Sequence, residues 1–144
     1  MGFENGIQPL RPVYLVSSCL VGLATRYDGV VKTNEACLEA LAGVNWIPVC
    51  PEQLGGLPTP RPAADLAGGQ GDQVLAGKAR VLNVEGVDVT GQFVRGAHQV
   101  LKIAELLEVN AAFLKTGSPS CGAGRVLGVT AALLQSRGVN VREF

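Results

Sequence analysis

Val13-Tyr14-Leu15-Val16-Ser17-Ser18-Cys19 is an apolar run that closes on two serines and a cysteine. It lacks the alternation of a half-solvated strand and reads as a strand over residues 13–18 covered on both faces, the pattern of a parallel sheet. Two other runs share the plan. Trp46-Ile47-Pro48-Val49 ends on Cys50, and Ala111-Ala112-Phe113-Leu114-Lys115 leads into Gly117-Ser118-Pro119-Ser120-Cys121-Gly122. They predict buried strands over about 45–50 and 111–116. As parallel members of one sheet they would open all three thiols into one crevice, because open α/β sheets bind ligands beyond the C-terminal ends of their strands.

The intervening segments fit helices. Thr33 or Asn34 caps a helix through about Ala42 that stops at Gly43. Thr90 caps a longer one over about 91–108, where Phe93, Ala97, Val100, Leu101, Ala104 and Leu107 form one apolar stripe. A third runs from Val129 to Arg137 and ends at Gly138, before a short strand over 139–142. Residues 51–72 carry Pro51, Pro58, Pro60, Pro62 and several glycines, and read as one long loop. Loops of that length in compact domains usually have a function or are disordered. Residues 78–89, with Glu85-Gly86 inside, suggest a hairpin, and residues 1–12 a loose arm. Strands alternating with helices predict a three-layer, Rossmann-like α/β domain with a mostly parallel sheet, occupying residues 1–144 as one unit.

Composition narrows the function classes. The apolar fraction is 47% and the charged fraction 17%, which suits a packed core. Lys plus Arg equals Asp plus Glu at 12 each, and no basic run occurs, so a nucleic-acid polymer is not the expected partner. No stretch reaches the roughly 20 apolar residues of a membrane span. The N-terminal residues lack a basic n-region and an apolar core, so no signal peptide is expected. The expectation is a cytoplasmic protein acting on a small molecule, its cysteines reduced.

Three thiols at strand ends, without a fourth ligand, suit a metal site with one open position, for zinc or for an iron–sulfur cluster. The paired-cysteine spacing of common zinc and cluster motifs is absent, so three ordinary buried cysteines are the competing reading. Their place beside Gly and Pro in loops favours the site. Glu52, two residues past Cys50 across a stiff proline, is placed to act as a general acid and base; a solvated loop glutamate is the plain alternative. Ser118 would orient substrate or water, or simply form a turn. Cys37, mid-helix beside Leu38 and Leu41, reads as core, and the sole histidine, His98, as solvated.

Taken together, these segments resemble the DUF523 family, which includes the thiouracil desulfidases. The resemblance rests on Val16-Ser17-Ser18-Cys19-Leu20-Val21-Gly22, Arg26-Tyr27-Asp28-Gly29, Val49-Cys50-Pro51-Glu52 and Gly55-Gly56-Leu57-Pro58-Thr59-Pro60-Arg61-Pro62. It continues through Gly86-Val87-Asp88-Val89-Thr90, Leu114-Lys115, Ser118-Pro119-Ser120-Cys121-Gly122 and Gly128-Val129-Thr130-Ala131-Ala132-Leu133-Leu134. It implies a non-redox [4Fe-4S] cluster held by Cys19, Cys50 and Cys121, with one iron free to take the sulfur of a thiolated pyrimidine. Water would attack the carbon, Glu52 would handle protons, Ser118 would position, and hydrosulfide would leave. A non-enzymatic iron–sulfur, metal or sulfide carrier is the alternative. The chain departs from the family in a shortened segment, Gly122-Ala123-Gly124-Arg125-Val126-Leu127, expected to open or reshape the pocket.

Overall fold

The computed structural model describes residues 12–144. The expected arm, Pro12 apart, lies outside them. In chain order the elements are β1 (Val13–Ser17), α1 (Glu35–Ala40), β2 (Asn45–Val49), α2 (Pro51–Leu54), β3 (Ala64–Ala67) and α3 (Gly71–Leu75). Then follow β4 (Arg80–Asn83), α4 (Thr90–Leu106), β5 (Ala111–Leu114), α5 (Val129–Ser136) and β6 (Asn140–Glu143). Strands β1, β2, β5 and β6 form one sheet in the order β2-β1-β5-β6, and every pair is parallel.

Side chains alternate across a strand, so each strand feeds both faces. Leu15, Ala112 and Leu114 pack with Val100, Leu101, Val129 and Leu134 of α4 and α5. Val16 and Phe113 pack on the other face with Leu20, Cys37 and Leu41. Helix, sheet and helix make the three layers of a Rossmann-like fold. From β1 the chain moves to one side for β2 and later returns to the other side for β5. That reversal beside β1 is where such sheets leave a crevice.

Four expectations need correction. The strand at 45–49 is not buried: it is the sheet edge, and Asn45 to Pro48 are exposed. An apolar run alone does not separate an edge from a centre, although Pro48 belongs on an edge. The long loop contains α2, β3 and the start of α3. β3, Ala64-Asp65-Leu66-Ala67, has no β-branched or aromatic residue, so it gave no strand signal. It is the antiparallel partner of β4; the short hairpin expected over 78–89 is present, β4 turning back past Glu85-Gly86 to an antiparallel Leu82–Asp88 bridge flanked by the Asn83 N–H to Val87 O and Val89 N–H to Val81 O bonds, both 2.9 Å. Thr90 does not cap α4 from outside. It is the first helical residue, and its Oγ1 accepts the Val81 N–H at 2.8 Å, tying β4 to the helix. Leu107 lies past the end of α4 and is exposed. Asn34 does cap α1, accepting the Cys37 N–H at 2.9 Å.

Candidate active site

Each strand end delivers one cysteine. After β1 the chain tightens into a 3-10 turn over Ser18–Val21 that carries Cys19. β2 runs into Cys50, which stands just before α2, and Pro51 opens that helix where its missing N–H costs nothing. Glu52 therefore sits in the first turn of α2. After β5 a compact turn carries Ser118 to Cys121, shaped by two backbone bonds to one hydroxyl. Ser118 Oγ accepts N–H from Ser120 at 3.2 Å and from Cys121 at 3.0 Å.

These turns line one cavity of about 320 Å³. Cys19, Cys50, Cys121, Glu52 and Ser118 all contribute to its wall, with Arg26, Arg61 and Lys115 as its cations. Cys37 and His98 are not among its residues; Cys37 is sealed in the core and His98 is exposed on α4. The segment 122–127, expected to open or reshape the pocket, is not among the residues of the wall either. Its two flanks are joined by the Gly128 N–H to Gly122 O bond at 2.8 Å.

All the cysteines are free thiols. Burial pushes the Cys121 thiol up to about 12, opposed by the hydroxyls of Ser17 and Ser120 and reinforced by Cys19 and Glu52. Burial also raises Cys19, and Cys50 adds to it, while Lys115 and Arg26 act the other way. The mutual influence of Cys19 with both other thiols follows from its place just past the end of β1, the strand between β2 and β5. Among the described residues no three of His, Cys, Asp and Glu gather tightly enough for a single metal ion. A mononuclear site needs its sulfurs within about 2.3 Å of one centre. A cluster that offers each thiolate its own iron accepts a wider set, and an all-sulfur donor set is what such clusters use.

Glu52 is held at both oxygens. Arg61 Nε donates to Oε1 at 2.8 Å, and Ser120 Oγ donates to Oε2 at 2.9 Å. A carboxylate only accepts, so the Ser120 proton points to Glu52. Ser118 Oγ lies 3.0 Å from Ser120 Oγ and already accepts two N–H groups. Its own proton therefore points to Ser120, and the direction runs from Ser118 through Ser120 to Glu52. Sequence reasoning singled out Ser118 and Glu52 but missed Ser120, which joins them, and Arg61, which faces them. In the sequence Arg61 stood only as one residue of the proline-rich stretch 55–62 that carries the resemblance, with no role attached.

Fold and site define a Rossmann-like α/β protein with three thiols and a braced carboxylate on one cleft. The chain belongs to the 2-thiouracil desulfurase family, whose sequence profile matches residues 14–143. It is 39% identical over 139 residues to the uncharacterized protein YbbK of Bacillus subtilis (strain 168), covering 88% of this chain and 92% of that protein. It is similar in structure to the [4Fe-4S]-dependent thiouracil desulfidase TudS, with a TM-score of 0.73 and 36% identity. That match covers 92% of this chain and 91% of the other.

Proposed function

We propose that this protein removes sulfur from a thiolated pyrimidine such as thiouracil, using a [4Fe-4S] cluster held by Cys19, Cys50 and Cys121. The supporting observation is that three free thiols and a carboxylate fixed at both oxygens meet on one cavity, in a family named for this reaction. The bound cluster supplies an iron without a protein ligand, a Lewis acid for the thiocarbonyl sulfur.

The balance is a thiocarbonyl and water giving a carbonyl, hydrosulfide and a proton, with no change of oxidation state. Glu52 takes the proton of the attacking water at Oε2, the oxygen that does not face the guanidinium. It then returns that proton to the departing side. Ser118 and Ser120 keep the carboxylate aimed at the cavity. Arg26 and Lys115 offset the negative charge that gathers around Cys19. The setting is the cytoplasm, where thiols remain reduced; among the described residues no helix is long and apolar enough to cross a membrane.

Anaerobic reconstitution, iron and sulfide analysis, and hydrosulfide release from 2-thiouracil and 4-thiouracil test the reading. Release from at least one supports it. Full cluster loading with release from neither favours the carrier alternative.

A further inference from the structure

We propose that Arg61 is the positioning residue of this site, a single buried guanidinium that fixes the Glu52 carboxylate relative to the Cys50 sulfur; the proposal rests on the desulfidase reading. Arg61 comes from the proline-rich segment before β3, outside the turns that carry the thiols. Its side chain is only 5% exposed, and Glu52 beside it is 13% exposed. A guanidinium has five N–H donors. Each has a partner here. Nε donates to Glu52 Oε1 at 2.8 Å. Nη1 donates to Pro58 O at 3.2 Å and to Thr59 Oγ1 at 2.8 Å. Nη2 donates to Thr25 O at 2.9 Å and faces Cys50 Sγ at 3.9 Å.

This one group touches the loop after Cys19, the residue Cys50 and the carboxylate two residues later. The Arg61 N–H adds a bond to Tyr27 O at 2.8 Å. Cys50 Sγ also faces Thr25 O at 3.8 Å, so sulfur and guanidinium share that carbonyl. A glutamate has several freely rotating bonds, and a carboxylate tethered at one oxygen still swings. Arg61 and Ser120 together leave it one orientation. Lysine cannot reproduce this, because an ammonium has no planar fork to reach a carboxylate and two loop carbonyls at once. Misplacing a reacting group by about 1 Å costs on the order of a hundredfold in rate.

The test compares wild type, Arg61→Lys, Glu52→Gln and the double variant at equal iron and sulfide content, with a thiouracil that the wild type turns over. Arg61→Lys should load the cluster, keep KM within about threefold and lose kcat about a hundredfold. In the Glu52→Gln background it should add almost nothing, since it acts through that carboxylate. Arg137→Lys, at an exposed ion pair with Glu105 away from the cavity, should keep kcat near wild type. Equal losses of kcat in both backgrounds, a loss explained by missing cluster, or an Arg137→Lys defect as large as that of Arg61→Lys overturns the proposal.

A crystal structure of cluster-free Arg61→Lys gives a readout without turnover. Glu52 should leave Ser120; an unmoved Glu52 overturns the proposal. If Arg61→Lys does not fold, Arg61→Gln takes its place, and failure of both assigns Arg61 to stability alone and overturns the proposal. If the wild type releases hydrosulfide from neither thiouracil, the desulfidase reading fails separately, and the cluster-free structure alone decides for or against Arg61.

Discussion

Gly55 and Gly96 meet where α2 crosses α4, and neither position has room for a methyl group. A Cβ on Gly55 would fall 1.9 Å from Gln92 O, and one on Gly96 would fall 1.9 Å from Pro51 O. Close backbone approach is what brings α2, with Glu52 in its first turn and Cys50 just before it, down onto the long helix.

Gly96→Ala should therefore act at a distance. The added methyl must push α2 away, since its neighbour is backbone. Overpacking of this kind costs about 1–3 kcal/mol. Urea unfolding should show that loss, and cluster loading should fall with it. His98→Ala, an exposed site on the same helix, should change stability by no more than about 0.5 kcal/mol.

Replacing Cys19, Cys50 or Cys121 by Ser should abolish the iron–sulfur absorbance after anaerobic reconstitution. Cys37→Ser should leave the absorbance in place, because Cys37 packs with Val16, Leu20, Leu41 and Phe113 on the other face of the sheet. A Cys50→Ser protein that assembles a complete cluster would contradict the ligand set.

Glu52→Gln keeps the shape of the side chain and removes its ability to exchange a proton. It should load iron and bind a thiouracil as wild type does, yet release hydrosulfide about a hundredfold more slowly or worse, the usual scale for general acid–base catalysis. Turnover at equal cluster content measures this. Unchanged turnover removes Glu52 from the chemistry.

Cluster-free protein should lose stability in alkali. Burial lifts the Cys121 thiol from an ordinary 9.0 to about 12, and moves Cys19 and Cys37 in the same direction. Between those values the unfolded chain has given up a proton that the folded chain keeps. Stability is thus whole below pH 9.0 and erodes toward pH 12. The slope is up to about 1.4 kcal/mol per pH unit for one such group. Urea midpoints at a series of pH values should show the decline, and Cys121→Ser should flatten it.

The central fold was legible because strands buried on both faces announce themselves as unbroken apolar runs, and β1 and β5 are such strands. The helices α1, α4 and α5 had stripes or stops. What escaped was set by tertiary context. Trp46 and Ile47 look like core residues and stand at an edge. Ala64 to Ala67 becomes a strand because Arg80 to Asn83 is there to pair with it. In the site, the cysteines were visible through their places beside Gly and Pro at strand ends, and Glu52 through its place two residues past one of them. Arg61 was not, since its link to Glu52 depends on how a proline-rich segment folds back. Ser120 was hidden for a simpler reason: two serines flank one proline, and only the hydrogen-bond directions tell their parts apart.

The short segment after Cys121 is pinned at its neck. Gly128 has no room for a side chain, as a Cβ would lie 2.4 Å from the Ser120 carbonyl carbon, and a Cβ on Gly71 would lie 2.3 Å from Gly128 O. Gly71 N–H also donates to Leu127 O at 2.7 Å. Between them Ala123 and Leu127 pack against the core and donate their N–H groups to Glu143 Oε2 and Gln70 Oε1, both at 2.8 Å, so only Gly124 and Arg125 are exposed. Changes confined to that two-residue tip leave the neck, and hence Cys121 and Ser118, where they are. The protein therefore carries a small outer tip on a fixed base, a natural place to graft new sequence without retuning the chemistry beneath.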